Sequence, residues 1–369
     1  MSSFFNVSNK LKDYSVTIGD KNIPKESLFS FEVSYTIHSP MLHGKLVFTD
    51  SFDLDMFLNW NDVSVKLKYT DTFDESVEKE FSIVNINEID NGNKEKIFSI
   101  DIQDKFSYIL SKSFKCKSFN SNPKDALLYY IDSLGLQDVK TDFTTNNDKF
   151  NFVIPNYKNN LESFLFEFHK YGYYFYQNKD TLILKTIDEV SPNILPLNGE
   201  FIDQTDNQLY ANFIYDIDVY QFNKNKTPPL TRACAYNIQK KKMNYAEFNS
   251  IEEYSINDDK TNIQEQLNIK DLYQTHLDFN QNKNDMRESF FNQNQITIAV
   301  NGYSKNDLHQ IYDINLKGNK SYIDGVTRGN VVIGGKYVST KITDKIASDS
   351  MIQKITLNRV DRVKKDSNE

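Results

Sequence analysis

One short helix with both of its ends written into the chain constrains this sequence more than any other feature. Residues 150–186 read FNFVIPNYKNNLESFLFEFHKYGYYFYQNKDTLILKT. Phe150, Phe152 and Ile154 alternate as in a strand, and Pro155 stops a helix from running back through them. Asn159 can accept from the free amides of a first helical turn, and Glu162 follows at the spacing of a capping box. Leu161, Phe164, Leu165 and Phe168 stand at i, i+3, i+4 and i+7, one apolar face of a three-turn helix. Gly172 ends it, because the chain must turn there and glycine tolerates positive φ. Two strand-like runs, YYFY and TLILK, come next across the turn Asn178, Lys179, Asp180. A strand, a helix and a hairpin make a small α+β unit.

On either side the periodicity is that of strands. Tyr14, Val16 and Ile18 alternate, as do Phe29, Phe31, Val33, Tyr35 and Ile37. Leu46 and Phe48 follow Gly44, which marks a bend or bulge. Val63 to Tyr69, then Phe81, Val84 and Ile86, then Phe98, Ile100 and Ile102 continue the pattern, with Asn91-Gly92-Asn93 as a hairpin turn. At least five strands with no helix between them predict a small antiparallel barrel or sandwich. From Lys105 the signal turns helical. Phe106–Leu110 reads as a short apolar turn over one end of that barrel. Asn122-Pro123 starts a helix with Ala126, Leu127, Tyr130, Ile131 and Leu134 on one face, and Gly135 closes it. Residues 187–207 read as a polar, proline-containing connection, and Phe213 to Phe222 alternate again. The lysine- and asparagine-rich stretch that follows, with Pro228-Pro229, reads as mixed helical fragments. Ile296, Ile298 and Val300, then Ile311, Ile314 and Leu316, then residues 331–333, then Tyr337 to Val360 return to strands.

The predicted fold class is mainly β with α+β insertions: two small antiparallel β-barrels of related topology plus an inserted α+β domain. The expected boundaries are a first barrel at 1–108, the insertion at 109–206, and a second barrel from 207–222 and 288–363. An excursion occupies 223–287, and 364–369 form a polar tail.

The helix-and-hairpin run ESFLFEFHKYGYYFY resembles the central hub proteins of contractile tails. These are the baseplate hub of T-even phages, the late control protein D family, and the N-terminal hub part of the VgrG spike of type VI secretion. SPMLHGKLVFTDSFDL followed by NDVSVKLKY is similar to their first barrel, and GGKYVSTKITDKI with SMIQKITLNRVD to the end of their second. The resemblance implies a structural hub of a phage or phage-like tail baseplate, a homotrimeric ring adapting a six-fold tail tube to a three-fold spike around a central channel. The implied partners are a central spike protein, a tail tube or tube-initiator protein and other baseplate proteins. DNA would pass the channel without specific binding, and the site of action would be the virion tail baseplate, assembled in the host cytoplasm.

Composition agrees with a soluble chain of two or three domains: 369 residues, 39% hydrophobic and 25% charged. No apolar run approaches the roughly 18–20 residues that cross a membrane, so no membrane insertion is expected. MSSFFNVSNK lacks the basic and apolar regions of a signal peptide. Cys116 and Cys234 are far apart and read as reduced thiols.

Enzyme signatures are sparse. His38, His43, His169, His276 and His309 form no H-E-x-x-H, and Glu167 and His169, two apart, point in different directions around a helix. His38 and His43 flank a turn and could converge. Asp53 with Asp55, or Asp71 with Asp74 and Glu75, could be drawn as a glycosidase carboxylate pair, but read first as solvated turns. The expectation is no catalytic residue, no metal and no cofactor. The rival readings are a tail-associated peptidoglycan hydrolase and a carbohydrate-binding β-sandwich module. Charge is uneven: residues 1–110 carry 18 acidic and 11 basic side chains, net −7, and residues 286–369 carry 9 and 13, net +4. Two barrels of opposite sign would attract each other around a ring, or present an acidic and a basic face to different neighbours; chance asymmetry on solvated surfaces is the third reading.

Overall fold

The computed structural model describes residues 11–50, 63–71, 74–89, 96–136, 138–145, 149–186, 194–200, 214–222, 230–237, 242–247, 263–267, 294–301, 306–317 and 335–359. It is mainly β with an α+β insertion. The strands of the first half are β1 (Asp13–Ile18), β2 (Lys21–Ile23), β3 (Leu28–Thr36), β4 (Ser39–Asp50), β5 (Ser64–Thr70), β6 (Ser76–Ile89) and β7 (Lys96–Asp104). The insertion holds β8 (Lys117–Ser121), β9 (Lys140–Phe143), β10 (Phe150–Ile154), β11 (Tyr173–Asn178) and β12 (Thr181–Thr186), with the helices Lys105–Lys112, Pro123–Ser133 and Asn160–Lys170. Thereafter come β13 (Ile194–Glu200), β14 (Ile214–Phe222), β15 (Leu230–Asn237), β16 (Lys242–Glu247), β17 (Ile263–Leu267), β18 (Asn294–Asn301), β19 (Ile311–Lys317), β20 (Gly335–Ala347) and β21 (Ser350–Arg359).

The two halves share one hydrogen-bonded path, β14-β18-β21-β20-β3-β4-β7-β6-β5-β1-β2, with β19 also on β20 and β13 on β19. Each half rolls up. The Leu11 amide donates to the Asp349 carbonyl in the β20–β21 turn at 2.8 Å, so the β1 end of the first half returns to the hairpin from which the path set out. In the second half β13 lies against β14, the far end of its own series. A long hairpin from each half meets at the seam, where Ile342 pairs Tyr35 and Asp344 pairs Val33. Alternation within single runs could not show that joint.

Gly44 makes no bulge. It sits in unbroken β4–β7 register opposite Ile102. A Cβ there would come 2.7 Å from the Ile102 side chain and 2.9 Å from the Glu32 carbonyl oxygen, so glycine is needed for close approach. Gly44→Ala should cost about 1–3 kcal/mol in chemical denaturation. An unchanged midpoint would show that the strands yield.

Two other expectations are corrected. Residues 194–200 are not connection but strand β13, which pairs parallel with β19. Pro196 fits this setting because β13 pairs with β19 alone, the edge position in which a proline is tolerated. Within 223–287 the described segments are the strands β15, β16 and β17, paired as one sheet of their own and not helical fragments. The apolar turn Phe106–Leu110 is part of a helix that lies against β4, β6 and β7 of the first half, as expected, while Phe106 and Leu110 also join the insertion's core, with Phe106 edge-on to Phe175 at 6.3 Å. The 91–93 turn and residues 331–333 lie outside the described residues.

The insertion's central helix is capped as its sequence says: the Glu162 amide donates to the Asn159 side chain at 2.8 Å. The box closes differently, because the Glu162 carboxylate accepts from the Asn159 side-chain amide at 2.9 Å. Leu161, Phe164 and Phe168 are buried, Leu165 packs at the core's margin, and Gly172 takes φ +84°.

Candidate functional site

Strand β11 explains where the three parts of the chain meet. Its four consecutive aromatics, Tyr173 to Tyr176, are all buried because both faces of the strand are covered. Tyr173 and Phe175 point into the insertion's own core. Tyr174 and Tyr176 belong to the core of the main sheet, with Ile183 of β12. The edge-on ring of His38 lies 5.9 Å from Tyr174, and His309 stands 5.5 Å from Tyr174 and 6.4 Å from Tyr176. Lys179, in the β11–β12 turn with φ +56°, makes an ion pair at 2.8 Å with Asp307 of the second half.

Beside that docking lies a buried polar chain. The Asp344 carboxylate accepts from the Tyr35 hydroxyl at 3.2 Å and from the Gln353 amide at 2.7 Å. Gln353 in turn accepts from Asn306 at 2.8 Å. The Lys79 ammonium lies over the Tyr35 ring, 5.2 Å from its centre. Burial pushes the Asp344 carboxyl up, opposed by the Lys79 charge, and pushes the Lys79 amine down, opposed by Asp344. Unpaired, either ion would carry a desolvation cost of several kcal/mol. Together they tie β3, β6, β20 and β21 across the seam. Sequence reading missed both residues, yet the signal was present: Lys79 is in phase with Phe81, and Asp344 with Ile342 and Ile346, all of them inward.

Among the described residues, those that could have carried chemistry are dispersed. His38 lies in the β3–β4 turn against Tyr174, while His43 sits within β4 opposite Gln103. Asp71 caps its own turn by accepting the Glu75 amide at 3.0 Å, and Asp74 pairs with Lys12. Glu167 and His169 lie in the helix Asn160–Lys170, and Cys116 is exposed. Among the described residues no three of His, Cys, Asp and Glu gather to hold a metal. Asp53, Asp55 and His276 lie outside the described residues, as does the side chain of Cys234. Among the described residues no helix is long and apolar enough to cross a membrane.

The opposite charges of the two ends are already brought together within one chain. Lys345 of β20 pairs with Glu32 of β3 at 2.6 Å across the seam.

No family model and no curated protein matches the chain. Solved structures do. A tail protein from Neisseria meningitidis MC58 is 11% identical with a TM-score of 0.64, the match covering 94% of this chain and 96% of the other. The 43 kDa tail protein of prophage MuSo2 from Shewanella oneidensis is 10% identical with a TM-score of 0.65, covering 94% and 98%. An E. coli component of the type VI secretion system, itself similar in structure to the T4 bacteriophage tail proteins gp27 and gp5, is 9% identical with a TM-score of 0.55, covering 94% and 77%. At these identities the likeness is one of fold, and it takes in almost the whole chain.

Proposed function

We propose, from a chain with the fold of phage tail proteins, that it is a structural component of a phage or phage-like tail, the central hub of its baseplate. Three copies close into a ring, each contributing its two rolled halves. Such a ring presents six similar units to a six-fold tail tube and true three-fold symmetry to a spike, leaving a channel for DNA. The observation that carries this reading is the fold match along nearly the full length of two tail proteins. The two halves fused by the β20–β3 seam supply the doubled unit that such a ring needs.

The mechanism is geometric: edges and loops carry the contacts, and no catalytic residue, metal or cofactor takes part. Spike protein, tube or tube-initiator protein and neighbouring baseplate proteins are the partners, in the virion tail. Native mass measurement of the chain, with its spike and tube partners, should give three copies per complex. A chain that stays single in their presence while cleaving peptidoglycan would replace this reading with the hydrolase one.

A further inference from the structure

Beyond its first helix, the insertion meets the main core through one face of one hairpin. Its helices share a core with Tyr173 and Phe175, whereas Tyr174, Tyr176 and Ile183 are the insertion residues that belong to the main core. At the first helix the chain is fastened. There the buried Asp104 carboxylate accepts from the Leu42 amide at 3.2 Å and from the Ser107 amide at 3.0 Å. A unit with its own core and one fastened end can leave its seat without unfolding.

Two histidines bracket that seat, one from each half of the chain. The His38 ring, from the β3–β4 turn, and the His309 ring, from the loop before β19, both stand edge-on to Tyr174. His309 is also edge-on to Tyr176 and is only 5% exposed, while His38 is open to solvent. The loop that presents His309 is pinned. Its amide donates to the Ser339 carbonyl at 2.9 Å, the Ser339 amide to the Gln310 carbonyl at 3.0 Å, and the Ser339 hydroxyl to the Asp307 carbonyl at 2.7 Å. His309 takes φ +57°, which a residue other than glycine keeps only where its surroundings impose it. The ring is thus held on the two tyrosines.

The described charges around His309 are already matched. Asp307, on its own loop, is bound by Lys179 of the β11–β12 turn at 2.8 Å. Asp142 of β9, whose charge reaches Tyr176, is bound by Lys185 at 3.0 Å. The Tyr176 and Tyr312 hydroxyls stay neutral, because burial pushes both up. With both imidazoles protonated, two added cations flank one buried tyrosine ring, and one of them is shut off from water.

We propose that this seat is an acid-sensitive clasp, in which a proton on His309, seconded by one on His38, releases the insertion's hairpin from the main sheet while both cores stay folded. The docked His309 ring is buried and the released one is solvated, so release takes up the proton. Docking is therefore full at neutral pH and weakens as pH falls through the histidine range, roughly 6.5. The clasp belongs to the single chain and stands apart from the ring reading.

The test is the distance between two spin labels on the full chain, at Tyr157→Cys in the insertion and Val84→Cys in β6, with Cys116→Ser and Cys234→Ser removing the native thiols. Both label positions are exposed. One distance is expected at about pH 7.5, and toward about pH 5 a second should grow in. Its ratio to the first should rise by up to about tenfold per pH unit for each proton linked. Amide exchange in β3, β20 and the helix Asn160–Lys170 should stay slow throughout, which separates release from unfolding. His309→Phe keeps a ring that takes no proton and should hold the single distance down to about pH 5. His38→Gln should make the response shallower, and an unchanged slope removes His38 from the clasp. A wild-type distance that ignores pH overturns the proposal, as does loss of exchange protection over the same range. Release of His309→Phe at the wild-type pH makes another group the sensor, and its release at neutral pH makes ring shape alone the fastening; either overturns the clasp. Docking that tightens in acid, as a cation drawn onto a tyrosine face would make it, overturns it too.

Discussion

Phe164→Ala should lower the stability of the insertion by about 3–5 kcal/mol, the range for deleting a buried phenylalanine ring. Phe164 is fully buried, edge-on to Tyr130 at 4.9 Å and stacked on Phe168 at 5.2 Å. Those neighbours come from two helices, and their backbones are fixed by caps at Asn122 and Asn159, so the site cannot collapse to fill the space. The insertion has its own core, so the loss should appear first as faster amide exchange in residues 105–186, with the seam hydrogen bonds still protected. Unaltered exchange and melting would mean that this helix face is not what holds the insertion together.

The second large effect is expected at the seam. Asp344→Ala removes the acceptor of Tyr35 and Gln353 and leaves the Lys79 charge buried without its counter-charge. Leaving a buried hydrogen-bonding group without its partner costs about 1–3 kcal/mol, and more where a buried charge loses its counter-charge. The loss should also acquire a pH dependence of known sign. Without Asp344, which raises it, the Lys79 pKa falls further below its ordinary 10.5. Between that lowered value and 10.5 the unfolded chain holds a proton that the folded chain has released, so stability of the variant should rise with pH across that window. Denaturant midpoints from neutral to alkaline pH measure it. Lys79→Met/Asp344→Leu, which removes both charges and keeps apolar volume, should recover much of the loss. If the double variant is as unstable as the single one, packing and not charge governs the seam.

Much of the local structure was legible because its causes are local. Asn159, Asn122 and Gly172 act within a few residues of themselves, and helix ends followed from them. The inward faces of β1, β5 and β7 followed from alternation, since a half-buried strand has period two. Reading failed where one extra residue shifts the phase. Phe29 continues the pattern of Phe31 and Val33 in the sequence, but the bulge at its position turns it outward. Gly44 read as a bend because glycine in a strand has two uses, and only the position of Ile102 and Glu32 chooses between them. The run of four aromatics in β11 was visible as a strand, but that both its faces are covered depends on a sheet far away in the chain.

The sequence by itself therefore determined the class of the fold, the capped helix and hairpin, and the two flanking regions of strands, because periodicity, capping and turn chemistry are short-range. Tertiary structure alone decided that β20 pairs with β3, that Lys79 and Asp344 share one buried site, and that Lys345 meets Glu32. Each of these joins residues more than two hundred positions apart, and their partners are selected by burial and hydrogen bonding that no local pattern encodes.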